Sequence, residues 1–244
     1  MVGKKAIAIA QRELGSYFTT WLGYLVAAAA LVTSGVLFNA FALGGHPKLS
    51  VEVLRDYFYY ASGISMVAGL FIAMRLIAEE RQTQTLPLLL SSPVTEREIV
   101  YGKFLSAVAF LACILAVSLY MPALIFVHGK VSLGHIAAGY TCLFLIGAAA
   151  IAITLFASAL APNQLLSGVL GTVFLVIMLV LWMLVDVTSS PFREVFGYMA
   201  LHNKHFTPFA RGVIHSQDVV YYLSVCFFFL ECSVRTLEAR RWRN

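Results

Sequence analysis

The sequence predicts an all-α integral membrane protein: a single domain over 1–244 with six transmembrane helices and an amphipathic interfacial helix in front of them. Three observations carry that expectation. Of the 244 residues 60% are hydrophobic and only 12% charged, with a mean hydropathy of +0.84. Soluble domains carry about 25% charged residues, so this chain cannot build a water-facing exterior and its excess apolar surface must face lipid. Six runs reach the roughly 20 apolar residues that a spanning helix needs: 20–43, 58–78, 100–128, 132–160, 165–187 and 218–236. Those runs lack the two-residue alternation of barrel strands, and only a helix satisfies its own backbone within each segment.

The elements follow in order. Residues 4–18 place Ile7, Ala10, Leu14, Tyr17 and Phe18 on one face and leave Lys4, Lys5, Arg12 and Glu13 wet, the pattern of a helix lying on a membrane. A plain anchor leading into the first span is the alternative. Gln11, Arg12 and Glu13 interrupt "AIAIA" too early for a signal peptide. The first span opens "WLGYLVAAAALVTSGVLFNAF". The second, "SGISMVAGLFIAMRLIA", carries Arg75 near one end, where it can snorkel to headgroups.

Between spans two and three lies "EERQTQTLPLLLSSPVTEREIVYGKF". Its apolar core is too short to cross a bilayer. Leu86, Leu88, Leu89 and Leu90 are expected to bury against the membrane, with Glu79, Glu80, Arg81, Glu96, Arg97 and Glu98 exposed. Pro87 disfavours continuous helix, Pro93 stops the element, and Thr95 with Glu98 forms a predicted capping box. Span three would grow directly from that cap, so a push on 79–98 would turn spans two and three together. An ordinary returning loop is the alternative.

The fifth span reads "LLSGVLGTVFLVIMLVLWMLV". In the following 188–217 segment, Phe192, Val195, Phe196 and Met199 share one face, as do Phe206, Phe209 and Val213; such faces suit either a re-entrant pair or a loop on the headgroups. Gly35, Gly63, Gly69, Gly168 and Gly171 are candidate sites of close helix approach. Tyr57, Phe58, Tyr59, Tyr60 and Trp182 read as an interfacial belt ahead of a sugar-stacking surface.

Basic residues set the orientation. Lys4, Lys5, Arg12, Arg75, Arg81, Arg97, Lys103, Arg235, Arg240, Arg241 and Arg243 flank one side; Lys48, Arg55, Lys130, Arg193, Lys204 and Arg211 flank the other. The excess predicts both termini in the cytoplasm. Much of the net charge of +5 is this same bias, which suits anionic lipid headgroups and does not indicate nucleic acid.

No phosphate-binding G-x-x-x-x-G-K-[ST] loop, HExxH or GxSxG occurs. Cys113, Cys142, Cys226 and Cys232 lie within predicted spans without CxxC spacing, so they form neither a disulfide framework nor a zinc site. His202, His205 and His215 read as polar loop residues ahead of a metal site. Arg75, Asp186 and Glu231 fall near span ends, leaving no buried proton relay. Any transport energy therefore arrives from outside the chain.

The passage "EERQTQTLPLLLSSPVTEREIVYGKFL" resembles the signature of ABC-2 type permeases, commonly E-E-x-x-x-G-T-L-E-x-L-L-x-x-P followed by IVxGKFL. Gln84 stands where glycine is usual and Pro87 where glutamate is usual. The stretches "RELGSYFTTWLGYLV", "LFASALAPNQLLSGVL", "HFTPFARGVIHSQDVVYYLS" and the tail "LEARRWRN" are similar to the gliding-motility-associated (Gld-type) branch. The resemblance implies the type V exporter-like fold, no catalysis or cofactor in this chain, and ATP with Mg on partner ATPase subunits. It also implies a second permease subunit, identical or related, in the bacterial inner membrane. Carried onto this sequence, ATPase coupling falls to Lys5, Arg12, Glu13, Glu79, Glu80, Arg81, Thr83, Thr85, Leu86, Leu89, Pro93 and Glu96. An outer gate would fall to Phe192, Phe196, Met199, Phe206 and Phe209. The implied function is export; the alternative is ATP-driven force transmission to an envelope or periplasmic partner without a translocated substrate.

Overall fold

The structure, a computed structural model, describes residues 2–43, 49–85, 94–128, 132–187, 197–202 and 204–241. Its regular elements are helical, and among the described residues six helices are long and apolar enough to cross a membrane. In chain order they are α1 (Val2–Thr19), α2 (Trp21–Leu37, continued by a π-helical turn Phe38–Leu43), α3 (Ser50–Ala73), α4 (Ala78–Gln82) and α5 (Glu96–Ser118). There follow α6 (Tyr120–His128), α7 (Leu133–Leu160), α8 (Gln164–Val187), α9 (Phe206–Ala210) and α10 (Ser216–Arg241).

α7 is the hub. Its sequence is apolar on every side, the pattern of a helix enclosed by others, and 83% of its most apolar stretch is buried. α3, α5, α8 and α10 pack around it, α2 leans on α3, and α1 lies on α5. α3 and α7 run in the same direction, with Phe58 over Gly139, Gly69 over Gly147 and Ile77 beside Ser158. In lipid no hydrophobic force draws helices together, so close packing and interhelical hydrogen bonds must do it. A Cβ at Gly69 would stand 2.9 Å from the Gly147 carbonyl oxygen, and Ser65 Oγ donates to Leu143 O at 2.8 Å. Gly171 meets Thr154 of α7 as closely, Gly35 and Gly168 meet flexible methionine tips, and Gly63 faces open space. α2 and α8 are the least covered spans, each with 22% of its apolar stretch buried.

Several boundaries differ from the sequence-based ones. α3 begins at Ser50, not 58, because Val53 and Leu54 bury one side of its first turns while Arg55 stays outside. It ends at Ala73; the chain turns through 74–77 before α4. Span three is divided at Leu119, since the Pro122 ring clashes with the carbonyl four residues back, that of Ser118. Tyr57 and Phe58 belong to the core, not to an interfacial belt: Tyr57 Oη lies 3.0 Å from Tyr140 Oη, which in turn lies 3.0 Å from Ser118 Oγ. Tyr59 is exposed; the Trp182 side chain lies outside the described residues.

Phe192, Val195 and Phe196 also lie outside them, but residues 197–202 and 204–215 show how the described part of that segment sits. Leu201 N donates to Met178 O at 3.2 Å, nine residues before α8 ends, which is about 13 Å down the helix. His202 Nε2 lies 2.8 Å from Ser62 Oγ. Irregular backbone is tolerated at such depth only where protein answers its polar groups. Tyr222 Oη donates to Leu201 O (3.0 Å) and Tyr221 Oη to Met199 O (2.7 Å). His205 Nε2 reaches Tyr198 O (3.2 Å) and His135 Nε2 reaches Ala210 O (3.0 Å). His205 Nδ1 meets Asp218 Oδ1 at 2.7 Å. The described part of the segment is stitched to α3, α7, α8 and α10.

Candidate functional site

Residues 4–18 and the start of 79–98, the two predicted coupling elements, meet at one end of the bundle around Lys103. α1 runs alongside the first turns of α5. Ala6 and Ile9 lie over Gly102, where a Cβ would come within 2.8 Å of the Ala6 carbonyl oxygen; further on, Tyr17 stacks on Phe110 with ring centroids 4.7 Å apart. Of the predicted face Tyr17 is buried whereas Ile7 and Phe18 are exposed, and Ala6, outside that face, is buried.

Lys103 projects from α5 into this contact and is only 2% exposed. Its Nζ lies 3.2 Å from Glu13 Oε1 on α1 and 2.8 Å from Glu80 Oε1 on α4. A buried ammonium is tolerated only when paired and hydrogen-bonded, so one cation binds three elements. A second tie runs beside it. Arg75, expected to snorkel, stands 4.9 Å over the Tyr17 ring and 3.6 Å from Glu79. Tyr17 Oη donates to Ile72 O at 3.4 Å. Burial pushes the Tyr17 hydroxyl well above the usual phenol range, against the opposing pull of Arg75, so it stays a neutral donor. Between these ties opens a cavity of about 780 Å³ lined by Arg12, Glu13, Ser16, Arg75, Glu79, Glu80, Thr83, Thr85 and Val94.

The α3–α4 elbow is fixed from α7. Ser158 Oγ accepts from Ile77 N (3.1 Å) and Ala78 N (2.9 Å) and donates to Met74 O (3.1 Å). The Arg81 guanidinium donates to the carbonyls of Ala159, Leu160 and Ala161, the orphan acceptors at the end of α7. Arg97 and Tyr101 of α5 reach Glu231 of α10 at 3.5 and 3.4 Å.

α4 ends in a Schellman motif: Thr85 N donates to Glu80 O and Gln84 N to Arg81 O. Gln84 takes φ 59° there, the left-handed conformation that glycine adopts without steric cost. Gln84→Gly should therefore stabilise the protein by about 0.5–1 kcal/mol, the left-handed penalty less the extra freedom of the unfolded chain. A raised thermal midpoint in detergent checks this; a fall would show that the side chain, not the backbone, sets the turn.

The predicted capping box is present: Glu98 N donates to Thr95 Oγ1 (3.3 Å) and Thr95 N to Glu98 Oε2 (2.9 Å). It also corrects an expectation, because the cap folds Glu98 inward to 3% exposure. Glu96 is buried too, in the first helical turn where backbone N–H groups favour a carboxylate. Glu80 is drawn in by Lys103, and Arg81 is turned onto α7. The coupling residues left exposed are Lys5, Arg12, Glu79, Thr83 and Thr85; Leu86, Leu89 and Pro93 lie outside the described residues. At the opposite end Phe206 and Phe209 are buried in the subunit's own core, while Met199 is on the surface.

His202 and His205 are held by Ser62 and Asp218, His215 is exposed, and among the described residues no three His, Cys, Asp or Glu converge as metal ligands. Lys103 was legible as one more basic residue on this side and, with Gly102, as the Gly-Lys of the IVxGKFL pattern, which names no partner; a lysine seven residues into a spanning helix is itself a signal that a partner is waiting. Ser158 carried no such signal.

Residues 7–196 match the family model described as ABC-2 family transporter protein. No curated protein matches the chain.

Proposed function

Because the chain belongs to the ABC-2 transporter family, we propose that it is the permease subunit of a bacterial exporter, set in the inner membrane with both termini cytoplasmic. As a family member it is a multi-pass membrane component of an ABC transporter, and the family implies partnership with an ABC ATPase. The stretches similar to the gliding-motility-associated branch support that finer placement.

The observation that carries the coupling reading is the buried Lys103, which joins the two elements predicted to touch the ATPase. ATP, bound with Mg on the partner, draws two ATPase subunits together. Their motion enters through the exposed rim of Lys5, Arg12, Glu79, Thr83 and Thr85. Lys103 makes α1, α4 and α5 move as one body, and Ser158 passes that motion to α7. The thinly covered α2 and α8 face a second permease subunit, and substrate crosses between the two copies.

Charge reversal at the rim tests the docking. Arg12→Glu combined with Glu79→Lys should cut stimulation of the cognate ATPase several-fold while lowering the thermal midpoint by less than Lys103→Met does, because each loses one half-exposed ion pair, with Glu13 and Arg75. Exposed pairs contribute at most about 1 kcal/mol to stability, whereas rim charges steer association. Undiminished stimulation would count against the reading. A purely mechanical role shares this outcome and differs by the absence of a copurifying cargo.

A further inference from the structure

Arg81 of α4 and Arg240 of α10 converge on one atom, the Leu160 carbonyl oxygen, at 3.3 and 2.9 Å. Their situation is unlike that of the neighbouring cations. Arg12, Arg75, Arg97, Lys103 and Arg235 each have a carboxylate within 3.7 Å. Among the described residues no carboxylate pairs with Arg81 or Arg240. The negative end of α7 offsets only about half a charge, so the excess at this point remains strongly positive. Donors remain as well. Arg81 commits three N–H groups to carbonyls, leaving Nε–H and one Nη2–H, the side-on fork that grips carboxylate or phosphate in two-point fashion. Arg240 commits a single Nη2 contact.

One residue on from Arg81, at Gln82, opens an apolar groove of about 860 Å³ between α3 and α8, lined by Leu70, Phe71, Met74, Leu165, Val169 and Val173. Its mouth is uncharged but polar: Gln82, Asn163 and Gln164, with Gln164 N donating to Gln82 Oε1 at 3.4 Å. Arg81 and Gln82 both land on the short turn joining α7 to α8. From Leu165 to Val173 the groove follows α8 for about 12 Å, enough for a good part of one acyl chain.

We propose that this is a binding site for an anionic phospholipid. Its phosphate sits on Arg81 and Arg240, and one tail lies along the α3–α8 groove. Occupancy relieves the repulsion between the two guanidiniums and steadies the α7 end that receives the elbow.

The test is native mass spectrometry of the whole protein in neutral detergent. Phosphatidylglycerol is titrated against phosphatidylcholine of the same chains. The protein should retain phosphatidylglycerol preferentially. Arg240→Gln, which leaves Arg81 capping α7, should reduce that preference about fivefold, the effect of one arginine at a lipid surface. Arg240→Lys should restore most of it. Gly168→Leu, which directs a side chain toward Met74 inside the groove, should weaken retention of both lipids, and glycerol phosphate alone should not compete. An unchanged preference in Arg240→Gln overturns the site, and full competition by glycerol phosphate overturns the tail's part in it. Retained lipid with weakened binding of the cognate ATPase in Arg240→Gln would assign the arginines to a protein carboxylate and overturn the lipid.

Discussion

Lys103→Met will be the most damaging single substitution at the coupling end, lowering the thermal midpoint in detergent by about 6–12 °C and abolishing stimulation of the partner ATPase. The side chain it removes is 2% exposed and holds Glu13 and Glu80, themselves 16% exposed. Without the ammonium, two nearly buried carboxylates face each other, and among the described residues Glu80 Oε2 already lacks a hydrogen-bond partner. Breaking a buried pair costs about 3–5 kcal/mol; the residual water access of both glutamates puts this case near 3, and each kcal/mol shifts the midpoint of a domain this size by roughly 2–4 °C. Adding Glu13→Gln and Glu80→Gln to Lys103→Met removes the stranded charges. The triple variant should recover most of the midpoint, because neutral replacements of buried ion pairs are often well tolerated, yet remain uncoupled. Normal ATPase stimulation in the triple variant would show that force travels by another route.

Ser158→Ala should come next. It strands Ile77 N and Ala78 N at the elbow and leaves Met74 O without its donor. A buried unsatisfied group costs about 1–3 kcal/mol, and interhelical bonds in membranes fall toward the lower values, so the sum is about 2–3 kcal/mol. The midpoint should fall accordingly, and ATPase stimulation with it, because the elbow is then free to bend without moving α7. A loss of midpoint with coupling intact would reduce Ser158 to a structural staple.

The features legible in the sequence were those set by one stretch of chain at a time. Hydropathy runs located six helices because lipid imposes length and composition on each span separately. The Thr95–Glu98 cap was legible because both partners sit three residues apart. Features that needed a second helix were not. Glu80, Arg81, Glu96 and Glu98 read as a solvated surface, since nothing local announces that Lys103 and the end of α7 are waiting for two of them. The burial of Tyr57 and Phe58 depends on Tyr140 and Gly139, some 80 residues on, and so escaped a local reading of aromatic clusters. At Gln84 the resemblance was informative through its exception: the position where the family commonly has glycine is the one described residue other than glycine with a left-handed backbone.

The outer segment has a consequence for how the chain must be made. Its carbonyls at Met199 and Leu201 are answered by Tyr221 and Tyr222, about twenty residues later in translation. When the ribosome has delivered Leu201 but not α10, the carbonyls of Met199 and Leu201 still lack the hydroxyls that meet them in the finished fold. Docking of that segment should therefore complete only once the last helix is in place, and a nascent chain stalled short of α10 should be cleaved by protease near 199–201 where the finished chain resists.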